Sequence, residues 1–166
     1  MSFIEISAKE IDKNAIKLIA EEWALVTAGT SEQFNMMTAS WGFLGEMWGK
    51  DCAIAMIRPQ RYTLEFMNKS DYFTLSFYGD NKAIHKICGS KSGRDIDKTK
   101  ETGLVPVFDN GAVYFEQAEL VIVCKKLYVS EIEKEKFSNT DCLKWYSDND
   151  FHKMFVGEIV KVLKKV

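Results

Sequence analysis

The chain of 166 residues is 46% hydrophobic and 28% charged, with ten glycines and two prolines, a composition typical of globular proteins that excludes a disordered or collagen-like chain. Its length is enough for one domain with a sizeable core and too short for two of ordinary size, so we expect a single domain over residues 1–166. The formal net charge of −2, with no basic arm or tail, argues against nucleic acid as a partner and means that any anion site must be local.

The N-terminal residues 1–11 carry too many charges for a secretory signal. No stretch further along the chain approaches the roughly 18 consecutive apolar residues that a membrane span needs. We therefore expect a cytoplasmic protein that has no membrane as a partner.

The first predicted element is an amphipathic helix over Ser7–Trp23. Ser7 is followed three residues later by Glu10, which is the spacing of a capping box at the start of a helix. The apolar residues then recur mostly at three- and four-residue spacing: Ile11, Ala15, Ile16, Leu18, Ile19 and Trp23. This period predicts one continuous helix with a single apolar face.

Most of the remaining chain is predicted to form short strands, because its segments are rich in β-branched and aromatic residues. In chain order these segments are Trp23–Thr27, Met37–Trp41, Cys52–Ile57, Tyr72–Phe77, Ala112–Phe115, Glu119–Val129 and Phe155–Leu163. Helical spacing predicts short helices at Tyr62–Lys69 and Asn81–Cys88, and the polar segment Ser90–Gly103 is typical of a loop that leads into another short helix. Strands that mostly follow one another predict an antiparallel barrel or sandwich with helices at its rim.

Several familiar catalytic and cofactor motifs are absent from the sequence. The four cysteines form no CxxC pair and have no histidine at ligand spacing, so we expect reduced, mostly buried thiols and no metal site. With only two histidines in the chain, a histidine-rich metal cage is excluded. The sequence contains no GxGxxG motif, no phosphate-binding GxxxxGKS/T motif and no GxSxG elbow, which disfavours the commonest nucleotide folds and a hydrolase.

Three segments at the ends of predicted elements have the chemistry of a nucleotide site: residues 35–41, 58–63 and 90–95. The second and third combine cations, hydroxyl groups and backbone N–H groups, which a phosphate ester requires. The first places small hydroxyl residues beside Trp41 ahead of three glycines, so that a flat heterocycle such as isoalloxazine can approach the backbone. From the residues alone, an outward-facing strand, a surface turn and an exposed loop remain the alternative.

In this order, the three segments resemble those of the flavin reductase-like, FMN-binding split-barrel proteins, a family that includes flavoredoxin. The segments read Asn-x-Met-Thr-Ala-Ser-Trp, Arg-Pro-x-Arg-Tyr-Thr and Ser-Lys-Ser-Gly-Arg-Asp-x-Asp-Lys. The likeness extends over nearly the whole chain, up to the closing stretch Phe151–Ile159. It implies a mainly β fold with flanking helices, a six-stranded antiparallel Greek-key split barrel, and a homodimer that holds flavin mononucleotide (FMN) noncovalently near the subunit interface.

The resemblance also implies which residues bind the cofactor. Those that line the isoalloxazine are Met37, Thr38, Ala39, Ser40 and Trp41. Those that meet the ribityl chain and phosphate are Arg58, Tyr62 and Thr63, with Arg61 in either role. Those that close on the phosphate are Ser90, Lys91 and Ser92, supported by Arg94 and Lys98.

The candidate catalytic residue is His152. The resemblance implies a position near the flavin edge or the pocket of the partner subunit, where His152 orients a nicotinamide or supplies a proton, because the charge of a histidine changes near neutral pH. A structural or surface role is the alternative.

His85, on the predicted helix 81–88, is expected to face solvent. Many relatives have a proline-rich stretch in the region of Met47 and Trp48. Two interpretations of these residues remain: they cover the flavin or its electron donor, or they are buried structural residues.

Three functions follow from this sequence as expectations. The favoured one is an oxidoreductase that transfers hydride from NADH or NADPH to FMN and on to an acceptor. The second is a flavoredoxin-like electron-transfer protein that binds no nicotinamide. The third is a flavin-binding protein without turnover, for storage or sensing. Residue spacing does not distinguish NADH from NADPH, and it does not identify the acceptor.

Overall fold

The computed structural model describes residues 2–166, and within them the backbone forms ten strands and four short α-helices. The strands are β1 (Phe3–Ile6), β2 (Ala24–Gly29), β3 (Phe34–Ala39), β4 (Gly42–Met47), β5 (Lys50–Ile57), β6 (Tyr72–Phe77), β7 (Pro106–Asp109), β8 (Ala112–Phe115), β9 (Leu120–Glu131) and β10 (Lys153–Lys165). The α-helices are α1 (Ala15–Lys17), α2 (Thr63–Lys69), α3 (Lys82–Ser90) and α4 (Lys98–Thr102). A π-helical turn over Leu18–Glu22 follows α1, and 3-10 turns lie at Ala8–Glu10, Lys134–Lys136 and Thr140–Trp145. Across residues 2–166, no helix has the length and apolar character needed to traverse a bilayer.

Eight of the strands described in residues 2–166 form one antiparallel sheet. Its order is β3-β2-β6-β9-β10-β5-β4, and β1 pairs with the end of β10. Met37 of β3 and Ala53 of β5, from distant parts of this order, lie in the same buried cluster. The sheet therefore curls around that core, as a split barrel requires. β7 and β8 form a separate hairpin.

The long strand β10 holds the two parts of the barrel together. One of its edges pairs with β9 throughout, whereas the other pairs first with β5 and then with β1. Register shifts at Val156/Gly157 and Ile159/Lys161 mark bulges, which bend a strand and increase its twist. At Gly157, an added Cβ would lie 2.7 Å from atoms of Phe73 and Cys124. Only glycine therefore allows β10 to cross the core at this point.

A second buried cluster lies on the other face of the sheet. It brings Leu25 of β2 and Val121 of β9 together with Cys88 of α3 and Phe115 of β8. Helix α3 has its apolar face on this cluster, with Ile84, His85 and Cys88 buried. The packing fixes α3 beside β2 and β3, which is where the candidate site forms.

The predicted antiparallel β fold with flanking helices is confirmed, but six strands is too few. Each segment predicted as a strand contains one, with small differences at the ends, whereas β1, β4 and β7 were not predicted. The strand β4 has the sequence GFLGEM and mostly exposed side chains. It lacks the β-branched composition that identifies strands, and its position at the sheet edge explains why it tolerates two glycines.

The single helix expected over Ser7–Trp23 is wrong. The capping box is present, since the Ser7 hydroxyl and the Glu10 carboxylate each accept a backbone N–H, but it closes only a 3-10 turn. Helical structure begins again after Asn14, whose side-chain oxygen accepts the N–H groups of residues 16 and 17. A capping residue inside an apolar repeat interrupts the helix, and hydrophobic spacing alone does not reveal the interruption.

Candidate functional site

The strand β3 anchors three helices, one after another, through side-chain hydrogen bonds. The Asn35 amide donates to the Thr63 hydroxyl at the start of α2, at 2.9 Å. The Thr38 hydroxyl lies 3.0 Å from Nδ1 of His85 in α3. From α4, the Lys98 amine donates to a backbone carbonyl of β3 at 2.7 Å. The ends of these helices and their loops therefore converge on the same edge of the barrel.

A polar cavity of about 430 Å³ opens at this edge, and it is called the polar cavity below. Its lining residues are Asn35, Met37, Arg58, Gln60, Arg61, Tyr62, Thr63, Ser90, Lys91, Ser92, Gly93, Lys98 and Asp150. They include four cations and one carboxylate, in a chain whose formal net charge is −2. This local excess of positive charge, together with the aliphatic hydroxyl groups of Thr63, Ser90 and Ser92, is suited to a phosphate group.

Arg58 and Lys91 of the polar cavity pair with carboxylates, whereas Lys98 and Arg61 form no salt bridge among the described residues. Lys98 is only 4% exposed, and burial lowers the pKa of its amine to about 8, with a contribution from the charge of Arg61. Burial and the neighbouring Arg58 likewise lower the pKa of Arg61 from its ordinary value. A depressed pKa in a base means that its charged form is disfavoured by its surroundings. An anion in the cavity would relieve that penalty.

The loop after α3 closes one side of the polar cavity against β3. The Arg61 guanidinium donates to the carbonyl of Gly89 at 2.8 Å, so this end of the helix is bound to the segment before α2. Further on, a Cβ added at Gly93 would lie 2.1 Å from the Asn35 side-chain oxygen. The backbone at Gly93 thus lies directly against the Asn35 side chain, closer than any other residue type permits.

Arg58 links the polar cavity to a group of aromatic rings. Its guanidinium donates to an Asp150 oxygen at 2.6 Å and to the carbonyl of Trp145 at 3.0 Å. The same group lies 5.7 Å from the ring centre of Trp41 and 5.2 Å from that of Tyr146, in cation–π range. Arg58 is therefore held in place from both sides, by two hydrogen bonds within the protein and by the two aromatic rings.

An apolar cavity of about 550 Å³ lies on the other side of Trp41, and it is called the apolar cavity below. Its lining residues are Ala15, Ile16, Ile19, Ala20, Ser40, Trp41, Gly42, Phe43, Leu44, Met56, Ile132, Phe137, Cys142, Trp145 and Tyr146. Because Arg58 lines one cavity and contacts Trp41 of the other, the two cavities are neighbours. A polar cavity beside an apolar one matches a ligand with an anionic end and a flat aromatic end.

His152 is buried against Trp41, with ring centres 4.8 Å apart, and its Nδ1 lies 2.9 Å from the Tyr146 hydroxyl. Burial, with the charge of Arg58, lowers the pKa of His152 to about 4. The imidazole is therefore neutral at neutral pH, which corrects the expectation that its charge changes there. Its contact with Trp41 is compatible with an orienting role, which stays a prediction.

His85 does not face solvent, so that expectation is wrong. It is 2% exposed and contacts Thr38, and its ring meets those of Trp23 and Tyr78 edge-on at 5.9 and 6.0 Å. Burial lowers the pKa of His85 to about 4. Histidine occurs on the buried and on the exposed face of amphipathic helices, so the sequence of α3 does not determine its direction. The packing of α3 on the barrel places His85 inside.

The structure brings most of the predicted cofactor residues together. Those that line the polar cavity are Met37, Arg58, Arg61, Tyr62, Thr63, Ser90, Lys91, Ser92 and Lys98. Those that line the apolar cavity are Ser40 and Trp41, whereas Ala39 is buried in the core. Thr38 and Arg94 line neither cavity within the described chain, since the Thr38 hydroxyl meets His85 and the Arg94 guanidinium lies 4.5 Å from the ring centre of Tyr62 and pairs with Glu65.

Sequence reasoning missed four residues of the polar cavity: Asn35, Gln60, Gly93 and Asp150. The first three lie inside the segments singled out, and their polar or small side chains were the available signal. Asp150 carried no such signal, because its contact with Arg58 joins positions 92 residues apart.

Met47 is the last residue of β4 and Trp48 lies in the turn that leads to β5; both are exposed, so they are not buried structural residues. The Trp48 ring meets Tyr128 of β9 edge-on at 6.0 Å. Within the described chain, neither residue lines the polar or the apolar cavity.

Known structures resemble this chain over most of its length. An FMN-binding protein from Thermus thermophilus with bound p-hydroxybenzaldehyde is 24% identical, with a TM-score of 0.67 over 86% of this chain and 71% of that one. The flavoredoxin of Desulfovibrio vulgaris (Miyazaki F) is 21% identical, with a TM-score of 0.68 over 96% and 77%. An NADH:FAD oxidoreductase of Streptomyces globisporus C-1027, in complex with NAD and FAD fragments, is 17% identical, with a TM-score of 0.64 over 87% and 74%.

At these identities the solved structures establish the shared fold, and the family is established by sequence. A search of curated proteins finds no match. The sequence model of the flavin reductase like domain, however, matches residues 16–165. This range includes all three segments and, except for Ala15, every residue that lines the two cavities. The chain therefore belongs to the flavin reductase-like domain family.

Proposed function

We propose that this protein binds FMN and acts as an oxidoreductase that takes hydride from NADH or NADPH and delivers the electrons to an acceptor. The observation that carries the proposal is the polar cavity, where four cations and one carboxylate meet in a chain of net negative charge, directly beside an aromatic, apolar cavity. Membership of the flavin reductase-like family supports the same assignment.

The residues of the polar cavity fit a phosphate monoester. Arg61 and Lys91 supply charged donors, Ser90 and Ser92 supply hydroxyl groups, and buried Lys98 adds a cation at the base. Charge-assisted hydrogen bonds of this kind are about twice as strong as neutral ones. The lowered pKa values of Arg61 and Lys98 are those of cations that an anion would stabilise.

The apolar cavity fits the ring system of a flavin. Trp41 supplies an aromatic wall whose position is fixed by His152 on one side and Arg58 on another. The apolar side chains around it would keep water from a ring held there, which would strengthen the electrostatic influence of nearby backbone groups. When bound, FMN supplies the capacity to accept a hydride and release electrons to an acceptor.

Two solved relatives support the chemistry by their own descriptions. One is an FMN-binding protein, and another is an NADH:FAD oxidoreductase in complex with NAD and FAD fragments. A third is a flavoredoxin, so electron transfer without a nicotinamide is the outcome against which the proposal is tested.

We also propose that the protein is a homodimer whose subunits meet around the apolar cavity. Three large apolar side chains of its rim are strongly exposed: Ile16 at 77%, Phe43 at 63% and Trp145 at 57%. Large exposed apolar side chains gathered at one place are typical of interaction surfaces. A second copy would bury them and complete the wall of the cavity.

The proposed function is tested by titrating the purified protein with FMN, followed by anaerobic additions of NADH and NADPH. We expect FMN to bind and its absorbance to bleach with one of the two nicotinamides. Bound FMN that neither nicotinamide bleaches would replace the reductase with an electron carrier or a storage protein. Failure to bind FMN would overturn the proposal as a whole.

A further inference from the structure

We propose that His85 is a positioning residue for phosphate binding, because it holds α3 on β3 through its contact with Thr38. The inference rests on the proposed function, in which the polar cavity receives the phosphate of FMN. It assigns Thr38 an indirect role through His85, instead of the direct contact with isoalloxazine that the sequence predicts.

The contact between Thr38 and His85 has two parts. The Thr38 hydroxyl oxygen lies 3.0 Å from Nδ1 of His85 and 3.2 Å from the backbone carbonyl of the same residue. A hydroxyl group has a single proton, so the arrangement that satisfies all three groups has Thr38 donating to the carbonyl and accepting from Nδ1–H. This arrangement makes Nε2 the unprotonated nitrogen of a neutral imidazole.

Only a polar side chain at position 85 can form the hydrogen bond to the Thr38 hydroxyl. The imidazole is 2% exposed, and its Nε2 has no hydrogen-bond partner among the residues that the structure describes. Burying an unpaired polar atom is unfavourable, and an apolar side chain would fill the space between Trp23 and Tyr78 without that cost. The histidine is therefore explained by its bond to Thr38 and not by packing.

The residues that follow His85 carry this constraint to the polar cavity. One helical turn later, a Cβ added at Gly89 would lie 3.3 Å from the Cβ of Thr38, so the last turn of α3 packs tightly on β3. The Gly89 carbonyl accepts the hydrogen bond from Arg61. The next four residues, 90–93, all line the polar cavity. The bond to Thr38 therefore fixes where the segment 90–93 begins.

The role of His85 is tested by comparing FMN with riboflavin, which has the same ring and ribityl chain but no phosphate. His85→Phe keeps an aromatic side chain of similar size and removes the bond to Thr38, whereas His85→Asn keeps a donor near the position of Nδ1. We expect His85→Phe to weaken FMN binding about tenfold, the effect of one lost hydrogen bond, with riboflavin binding unchanged within about twofold. His85→Asn should recover most of the FMN affinity. Lys86→Ala, an exposed neighbour on α3, is the control and should change neither.

Thr38 provides an independent pair of variants if His85→Phe fails to fold. Thr38→Ser keeps the hydroxyl group and Thr38→Val removes it, so only the valine variant should lose FMN affinity selectively. Equal losses for FMN and riboflavin, in either the phenylalanine or the valine variant, would overturn the inference, because they indicate contact with the ring or a general structural effect. Unchanged FMN affinity would overturn it as well. Wild-type protein that binds neither ligand would refute the proposed function itself, and this inference with it.

Discussion

Lys98 is a buried amine whose charge is held by two backbone carbonyls, those of Met36 at 2.7 Å and Cys88 at 3.0 Å. Its position links α3, α4 and β3 at the base of the polar cavity. Because burial lowers the pKa of this amine to about 8, its charge is lost as the pH rises through that value. The phosphate affinity of the cavity should therefore depend on pH.

We expect FMN affinity to fall as the pH rises from 7 to 9. A bound phosphate favours charged Lys98 and raises its pKa, so affinity is full below about 8 and decreases above it, by up to about tenfold at pH 9. Dissociation constants for FMN measured at pH 7, 8 and 9 test this, with riboflavin as the ligand that lacks a phosphate. Lys98→Met, which keeps the volume, should remove the dependence, and exposed Lys100→Met should not. Equal pH dependence in the two variants would contradict the role of Lys98.

The two buried histidines make folding stability sensitive to acid. The pKa of each is about 4 in the folded protein and about 6.5 in an unfolded chain, so the unfolded state binds more protons between these values. The free energy of unfolding should thus decrease as the pH falls from about 6.5 to 4, by up to about 1.4 kcal/mol per pH unit for each histidine. Urea denaturation at pH 7, 6 and 5 measures the slope. His152→Gln should reduce it, and an unchanged slope would show that His152 is already protonated or exposed.

At the scale of elements, the loop after α3 depends on the absence of a side chain at Gly93. A Cβ there would lie 2.1 Å from the Asn35 oxygen and would push the loop away from β3 or break the Asn35–Thr63 bond. We expect Gly93→Ala to cost about 1–3 kcal/mol in stability and to weaken FMN binding. Gly45→Ala is a matched control, since nothing lies within 4 Å of the added Cβ, and it should change stability by less than about 0.5 kcal/mol. Chemical denaturation and FMN titration of both variants give the comparison, and equal effects would refute the close approach at Gly93.

At this scale, the local chemistry of the site can be predicted from the sequence, whereas contacts that depend on how the elements pack cannot. The cations and hydroxyl groups near Arg61 and Ser92 predict an anion site because their chemistry is local, and both residues line the polar cavity. The directions of Thr38 and His85 are not predictable in this way, because their contact joins positions 47 residues apart and depends on how α3 packs. The helix break at Asn14 has the same origin, since a periodic apolar pattern contains no information about which residue caps a turn.

At the scale of the whole molecule, the barrel brings chemistry from distant parts of the chain to one edge. Because the sheet curls around its core, β3 and β5 lie near each other although they are far apart in the strand order, and their ends supply the first two segments of the site. The third segment joins them because α3 packs on the outer face of β2. A composition rich in short strands predicts the β class, whereas the closing of the sheet depends on long-range pairing such as that of β10 with both β5 and β1.

The exposed rim of the apolar cavity leads to a prediction about assembly. If two copies meet there, replacing Phe43, which is 63% exposed, with aspartate introduces a charge into the contact and should convert the dimer to a monomer. Val105→Asp is the control, because Val105 is also an exposed apolar residue and does not line this cavity within the described chain. Sedimentation equilibrium of the wild type and both variants over a range of concentrations measures the change. A wild type that is monomeric throughout would refute the proposed dimer, whereas a dimer that Phe43→Asp leaves intact would place the contact elsewhere and leave the apolar cavity open to solvent.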